Sequence, residues 1–226
     1  MGIAERKEKQ KLEIRKMILD AAIKLFVEEG YEQVSIRRIA ELIEYSPTTV
    51  YLYFQDKDEI YFSLHEIGFE KLQEINRDLD QIENPLLQLY QMGKNYLEFG
   101  MKNPEFYNLM FIHPEPMDKL EERGEEEWIN GDNALNRLKK VVSACMEEGY
   151  IAKDSVDLVS MSVWSLVHGL VSLAVRERLE KFVPEKAMVM PVMQQSLNWL
   201  MRSLDLKGVI AVEGFGAPGP IVPGSC

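Results

Sequence analysis

The stretch SPTTVYLYFQDK, Ser46 to Lys57, gathers hydroxyls, aromatic rings and one lysine into a short span. Ser46, Thr48, Thr49, Tyr51 and Tyr53 offer O–H groups, and Lys57 offers a cation. Such groups bind phosphates and base edges. Leu52 sits among them as an apolar side chain between polar neighbours. That placement suits a thymine methyl, the apolar feature of the major groove, better than water. Upstream, Ser35, Arg37 and Arg38 could grip a phosphate backbone from the other side.

Bond-breaking chemistry finds little support. His65, His113 and His168 are isolated from one another, and Cys145 has no partner nearby, so no metal-ligand spacing exists. There is no glycine-rich phosphate loop and no Ser-His-Asp or Cys-His arrangement in a usable context. No cofactor is expected, and an enzyme is the poorer hypothesis. The acidic run Glu121, Glu122, Glu125, Glu126, Glu127 reads as a solvated face, with cation binding as a minor alternative.

The elements that would position these residues read as helices, and no β pattern stands out. Ile14, Ile18, Ala21, Ala22, Leu25 and Phe26 recur at 3–4 spacing, and Gly30 ends that helix. Ser35 caps a short helix with Ile36, Ile39, Ala40 and Ile43 inward. After a tight turn Ser46 caps the next, with Pro47 at its first position. On this helix Val50, Phe54 and part of Tyr53 face the core, while Thr48, Thr49, Tyr51 and Leu52 face away. Two short helices joined this way have helix-turn-helix form. Asp56 opens a bridging helix expected to run to Ile82, and Lys57 at its start would meet a phosphate with help from the helix dipole. Asn84-Pro85 and Asn103-Pro104 each mark a helix start. Residues 114–124 read as a loop. Further helices are expected over 125–148, from Asp154 through Phe182, and from Pro184 to about Leu204 with a possible kink at Pro191, making about nine.

Of the 226 residues, 46% are hydrophobic and 28% charged, an ordinary soluble globular balance. No apolar run approaches the roughly 20 residues that span a bilayer, the N-terminal stretch has no signal-peptide core, and two distant cysteines suit cytoplasmic thiols. A cytoplasmic protein without a membrane partner is therefore expected. The net charge is −11, yet residues 1–57 carry ten basic and ten acidic groups. A local basic face could still meet a polyanion, because phosphate contacts are screened beyond roughly 10 Å.

The segment Ile18 to Ile60 resembles the DNA-binding domain of tetracycline-repressor (TetR) family transcriptional regulators. Ala22, Phe26, Gly30, Ser35, Ile39, Ala40, Ser46, Tyr51, Tyr53, Phe54, Lys57 and Ile60 carry the resemblance without gaps. It implies an all-helical homodimer that binds a palindromic operator in double-stranded DNA. It also implies that Ser35, Ser46, Thr48, Thr49, Tyr51, Tyr53 and Lys57 occupy DNA-touching positions. Two departures stand out. Glu44 stands in the turn where the family usually has glycine, which predicts a reshaped turn or a cost of about 1 kcal/mol. Thr48 stands where glycine is common, so operator sequence does not carry over.

Glu147 to Leu173 resembles a C-terminal ligand-binding and dimerisation domain of the same family, marked by Trp164, His168 and Gly169. Trp164 and His168 share a helix face. They are either core residues, with His168 hydrogen-bonded to a neighbour, or part of an effector pocket with Phe99, Phe106, Tyr107, Met110, Phe111 and Trp128. Gly169 would permit close helix approach. Together these readings give an all-α chain. Residues 1–56 are expected to form a helix-turn-helix unit. Residues 57–206 should form a helical effector-binding and dimerisation body, with 57–82 as the bridge, and 207–226 a Gly/Pro-rich tail that either frays or docks. The dimer seam is expected at Val163, Val167, Leu170, Met193, Leu197 and Leu200, and an unidentified small-molecule effector is expected to release the operator. A helical adaptor with no DNA role is the alternative.

Overall fold

A computed structural model describes residues 2–122 and 128–210. Ten α-helices account for most of these: α1 (Ile3–Glu29), α2 (Ile36–Leu42), α3 (Pro47–Tyr51), α4 (Lys57–Ile75), α5 (Pro85–Lys102), α6 (Pro104–Phe111), α7 (Glu115–Glu122), α8 (Ile129–Glu147), α9 (Val156–Val175) and α10 (Val189–Leu204). No strand occurs among the described residues. The chain divides into two compact units, Met1–Phe69 with Glu105–Trp128, and Glu70–Pro104 with Ile129–Cys226. The expected bridging helix α4 thus contributes residues to both.

In the first unit Ile18, Ala22, Leu25, Ile39, Ala40, Val50 and Ile60 are each at most 1% exposed, which makes the apolar stripes of α1 to α4 one core. Burying a Val, Leu or Ile stabilises by about 1.5–3 kcal/mol each. Caps set the register. The Ser35 Oγ accepts the Arg38 N–H at 3.2 Å, and the Ser46 Oγ accepts the Thr49 N–H at 3.1 Å. Asp56 Oδ1 accepts the Glu59 N–H at 2.7 Å ahead of α4.

The second unit is built around α5, which packs against α8, α9 and α10. Two of its glycines allow the close approach. A Cβ on Gly93 would lie 2.9 Å from Leu197, and one on Gly100 would collide with Val171. Asp80 pairs with Arg137 at 3.2 Å, and Asp157 with Lys139 at 2.7 Å. Cys145 is a free, fully buried thiol of α8. Burial, helped by Glu148, pushes its pKa up to about 12.

Several boundaries differ from the sequence reading. Residues 115–122, expected as loop, form α7: Pro116 falls in its first turn, where proline is tolerated, and good helix formers follow. The bridging helix ends at Ile75, not Ile82. Asn76 is buried and draws the chain aside, donating from Nδ2 to the Leu72 carbonyl at 3.0 Å and accepting from Asn95 at 3.0 Å. A 3₁₀ turn over Arg77–Gln81 follows. The helix expected through Phe182 ends at Val175, because Glu177 turns left-handed at φ 56. Ser155, not Asp154, caps that helix. The last helix starts at Val189, and Pro191 lies within its first turn, where its missing N–H breaks no intrahelical hydrogen bond.

The expected start of α8 at 125, and the tail from 211 on, lie outside the described residues, as does most of the acidic run. The tail's first residues dock: Ile210 is 7% exposed, and Lys207 donates to the Glu148 carbonyl at 2.6 Å. α9 is long and apolar enough by composition to cross a membrane, contrary to the expectation of no such run. Its inner side packs within the second unit.

Candidate nucleic-acid interface

α2 and α3 meet through a turn that keeps a left-handed residue despite the lack of glycine. Glu44 has φ 60. Its N–H reaches the Glu41 carbonyl at 3.2 Å, and the Tyr45 N–H reaches the Ala40 carbonyl at 3.0 Å. These are the two hydrogen bonds of a Schellman motif. The turn is therefore kept and not reshaped, with Glu44 holding a conformation that costs it roughly 1–2 kcal/mol. Gly149 closes α8 through the same bond pattern, at φ 71 and without a side chain to strain.

α3 is short, and its two sides differ sharply. Val50 is fully buried and Phe54 just beyond is 2% exposed. Facing away, Tyr51 is 56% and Leu52 is 76% exposed, and Pro47 and Thr48 are exposed as well. Thr49 and Tyr53 lie at the flank. The Ser46 and Thr49 hydroxyls share a hydrogen bond of 2.9 Å, which fixes both at the start of α3.

The cations expected to grip phosphate are held within the unit. Arg37 pairs with Glu41 at 3.3 Å, and Arg38 pairs with Glu29 at 3.0 Å. Lys57 lies 3.9 Å from the Tyr31 ring centroid and donates to the Tyr31 carbonyl at 3.0 Å, while Tyr31 Oη bonds Asp58. Lys57, expected to meet a phosphate, is thus also held to the turn after α1. Sequence spacing gave no signal of this, since Tyr31 and Lys57 are far apart in the chain.

The residues expected to line one effector pocket divide between the two units. Phe106, Tyr107, Met110, Phe111 and Trp128 belong to the first unit, and Phe99, Trp164 and His168 to the second. Phe99 and Tyr107 are fully buried. Within the first unit, Phe69 sits 5.5 Å from Phe111 and 5.2 Å from Trp128 between ring centroids. His65, passed over in the sequence as an isolated histidine, is fully buried there and stacks 5.7 Å from Trp128. His65 Nδ1 lies 3.2 Å from Glu66. Among the described residues, His65 Nε2 and Trp128 Nε1 have no hydrogen-bond partner. The available signal was the spacing of Tyr61, His65 and Phe69, which puts His65 on a buried stripe of α4.

In the second unit Trp164 Nε1 donates to Tyr96 Oη at 3.3 Å, and Tyr96 Oη lies 3.0 Å from His168 Nδ1. Burial first, and Arg176 second, lower the His168 pKa and favour neutral imidazole. This is the neighbour-bonded arrangement among the two readings of Trp164 and His168.

Four of the six residues expected at a dimer seam lie in the protomer's own core: Val163, Val167, Met193 and Leu197 are each at most 4% exposed. Leu170 and Leu200 are half-buried. The opposite faces carry the exposed apolar groups, with Leu158 at 60%, Met161 at 46% and Leu173 at 45% on α9, and Trp199 at 67% on α10. Gly169 lies on that outer face, and a Cβ there would meet nothing within 4 Å, so it makes no close approach within the protomer.

Comparison with known proteins agrees with this geometry. Residues 18–64 match the bacterial regulatory proteins of the tetR family, and residues 89–197 match the tetracyclin repressor-like C-terminal domain. The chain is 24% identical over 175 residues to the HTH-type transcriptional regulator YobS of Bacillus subtilis, covering 74% of this chain and 82% of that one. It is 30% identical over 95 residues to an HTH-type transcriptional regulator of Haemophilus influenzae, covering 42% of this chain and 51% of the relative. The match thus spans about half the length of that relative. A third similar protein is an HTH-type transcriptional repressor of Mycobacterium tuberculosis, 34% identical over 58 residues, or 26% of this chain and 31% of the relative. In fold the chain resembles the fatty acid degradation regulator FadR from Bacillus halodurans, with a TM-score of 0.65, 20% identity and coverage of 81% and 94%. It also resembles PfmR from Thermus thermophilus, with a TM-score of 0.62, 20% identity and coverage of 82% and 97%.

Proposed function

Since the chain belongs to the tetR family of bacterial regulatory proteins, which are DNA-binding transcriptional regulators and not enzymes, we propose that α3 enters the major groove of a palindromic operator. The observation that carries this reading is the exposure of Leu52, 76%, at the C-cap of α3 beside exposed Tyr51, while Val50 and Phe54 turn into the core. Folding gives no reason for a leucine there, whereas a thymine methyl does. Thr48 and the tied pair Ser46 and Thr49 add hydroxyls for phosphates or base edges. The chain acts as a repressor in this reading.

Family regulators act as dimers, and we place the contact between copies on the outer face of α9 with Trp199 of α10. Only 28% of the most apolar stretch of α9 is buried within the protomer, and Leu158, Met161 and Leu173 need another cover. The dimer would set two α3 helices roughly 34–36 Å apart, one turn of DNA. A small-molecule effector held by the helical body would then shift the population away from that spacing. A coupling of about 1–3 kcal/mol would weaken operator affinity by about 5–150-fold. The Trp164, His168 and Gly169 signature supports the C-terminal subtype that it marks, and a cytoplasmic location follows from the regulator class.

The test is selection of duplexes from a randomised pool, followed by gel shift. Sequence-selective, salt-dependent binding that weakens in Tyr51→Ala and Leu52→Ala is expected. A well-folded protein with no preference among duplexes would instead mark a helical adaptor.

A further inference from the structure

The first turns of α1 extend beyond the core of the first unit. Residues 4–13 are all exposed, and the first fully buried side chain of the helix is Ile18. Charge is distributed unevenly along this unit. Residues 1–16 hold six basic groups (Arg6, Lys7, Lys9, Lys11, Arg15, Lys16) against three acidic ones (Glu5, Glu8, Glu13), a balance of +3. Residues 17–57 hold four basic groups (Lys24, Arg37, Arg38, Lys57) against seven acidic ones, a balance of −3. The segment from 17 to 57 is therefore acidic as a whole, and three of its four cations are occupied by Glu41, Glu29 and Tyr31.

The α1 cations sort by face. Lys9 pairs with Glu13 at 3.8 Å and Lys16 pairs with Asp20 on the outer side. Lys7, Lys11 and Arg15 follow one another at four-residue spacing and continue into Ile18 and Ala22, the stripe that builds the core. The row therefore lies on the side of α1 that faces the rest of the unit. Its inner end is fixed. The Arg15 guanidinium lies 4.9 Å over the ring of Phe54, two residues after Leu52, and Arg15 donates to Ser63 Oγ at 3.3 Å. Among the described residues, Arg6, Lys7 and Lys11 have no carboxylate at ion-pair distance. From Arg15 back to Lys7 the helix rises about 12 Å.

We propose that Lys7 and Lys11 contact the phosphate backbone of DNA outside the bases met by α3, and that they supply much of the electrostatic affinity that the acidic segment from 17 to 57 lacks. The inference rests on the DNA-binding reading above. Each lysine neutralising one phosphate adds about 0.9 to the slope of log affinity against log salt.

The experiment measures that slope for the full-length protein on a duplex of roughly 40 base pairs, long enough for two half-sites and flanks, taken from its own selected pool. Lys7→Gln with Lys11→Gln should flatten the slope by about 2 for each protomer engaged, weakening binding at low salt most. Lys9→Gln with Lys16→Gln makes the same charge change on the carboxylate-paired side and should leave the slope near the wild-type value. Lys7→Arg with Lys11→Arg should keep it, which separates lost contacts from altered folding. Equal flattening in both glutamine pairs would mean a diffuse field and overturn the proposal, as would no flattening in either. A wild-type protein with no selective binding at all would instead overturn the DNA reading beneath it.

Discussion

Two parts of the molecule expose apolar side chains, and they do so differently. At the C-cap of α3 a single leucine, Leu52, stands among hydroxyls, with Tyr51 beside it. On α9 the exposed apolar face runs from Leu158 through Met161 to Leu173, its polar members are serines, and the helix carries one charged residue, Asp157. An isolated apolar group in a hydrogen-bonding surround suits a hydrated, charged surface, where polar contacts dominate and one methyl-sized contact discriminates. A continuous uncharged stripe suits another protein face, where burial is the driving term. The kind of surround, more than the exposure itself, indicates the kind of partner.

Substitutions can break this contrast. The largest effect is expected inside α3's buried side. Val50→Asp places an unpaired charge where no exposure exists, and should destabilise the first unit by 4 kcal/mol or more in chemical denaturation, abolishing DNA binding with it. On the outer face of α9, Leu173→Glu should cost about 3 kcal/mol of association free energy, more than a hundredfold in Kd. Sedimentation would then report a monomer with unchanged helicity; a persistent dimer would move the contact elsewhere. Leu52→Ala should weaken operator binding by about tenfold, 1–2 kcal/mol, while leaving the melting temperature in place. A fall in melting temperature instead would place Leu52 in the fold and not at the groove.

Two smaller effects sharpen the picture. Glu44→Gly relieves the left-handed strain but adds unfolded-state entropy, so a net gain of up to about 1 kcal/mol is expected. The reciprocal Gly149→Glu should lose a similar amount. For His168, the folded-state pKa lies below the ordinary 6.5. Its contribution to stability is intact above pH 6.5 and is lost as pH falls through the lowered folded value. Thermal melts between pH 7.5 and 5 should show a shallower decline in His168→Gln than in the wild type.

What the string reveals is local. Ser35, Ser46 and Asn84 were legible as caps because a cap and the N–H it accepts lie two or three residues apart. The split of α3 into Val50 inward and Leu52 outward follows from helical pitch alone. The failures concern choices that distant neighbours make. α9 is apolar around most of its circumference, so periodicity does not say which stripe packs on α5, and the seam was placed on the core side. The contacts of Lys57 with Tyr31, and the burial of His65 against Trp128, were hidden because they depend on chain segments brought together only by folding. The end of α4 at Ile75 was hidden for the same reason, since the side chain of Asn95 joins that of Asn76 from another helix.

The buried thiol of Cys145 has a practical consequence. With its pKa pushed up to about 12, the thiolate that alkylating reagents require is present there in roughly one molecule in 100,000 at pH 7. The core of the helical body is silent to maleimide chemistry. Once Cys226 is changed to serine, a cysteine introduced at exposed Leu52 would carry a fluorophore alone, and its emission would report groove entry without background from within the fold.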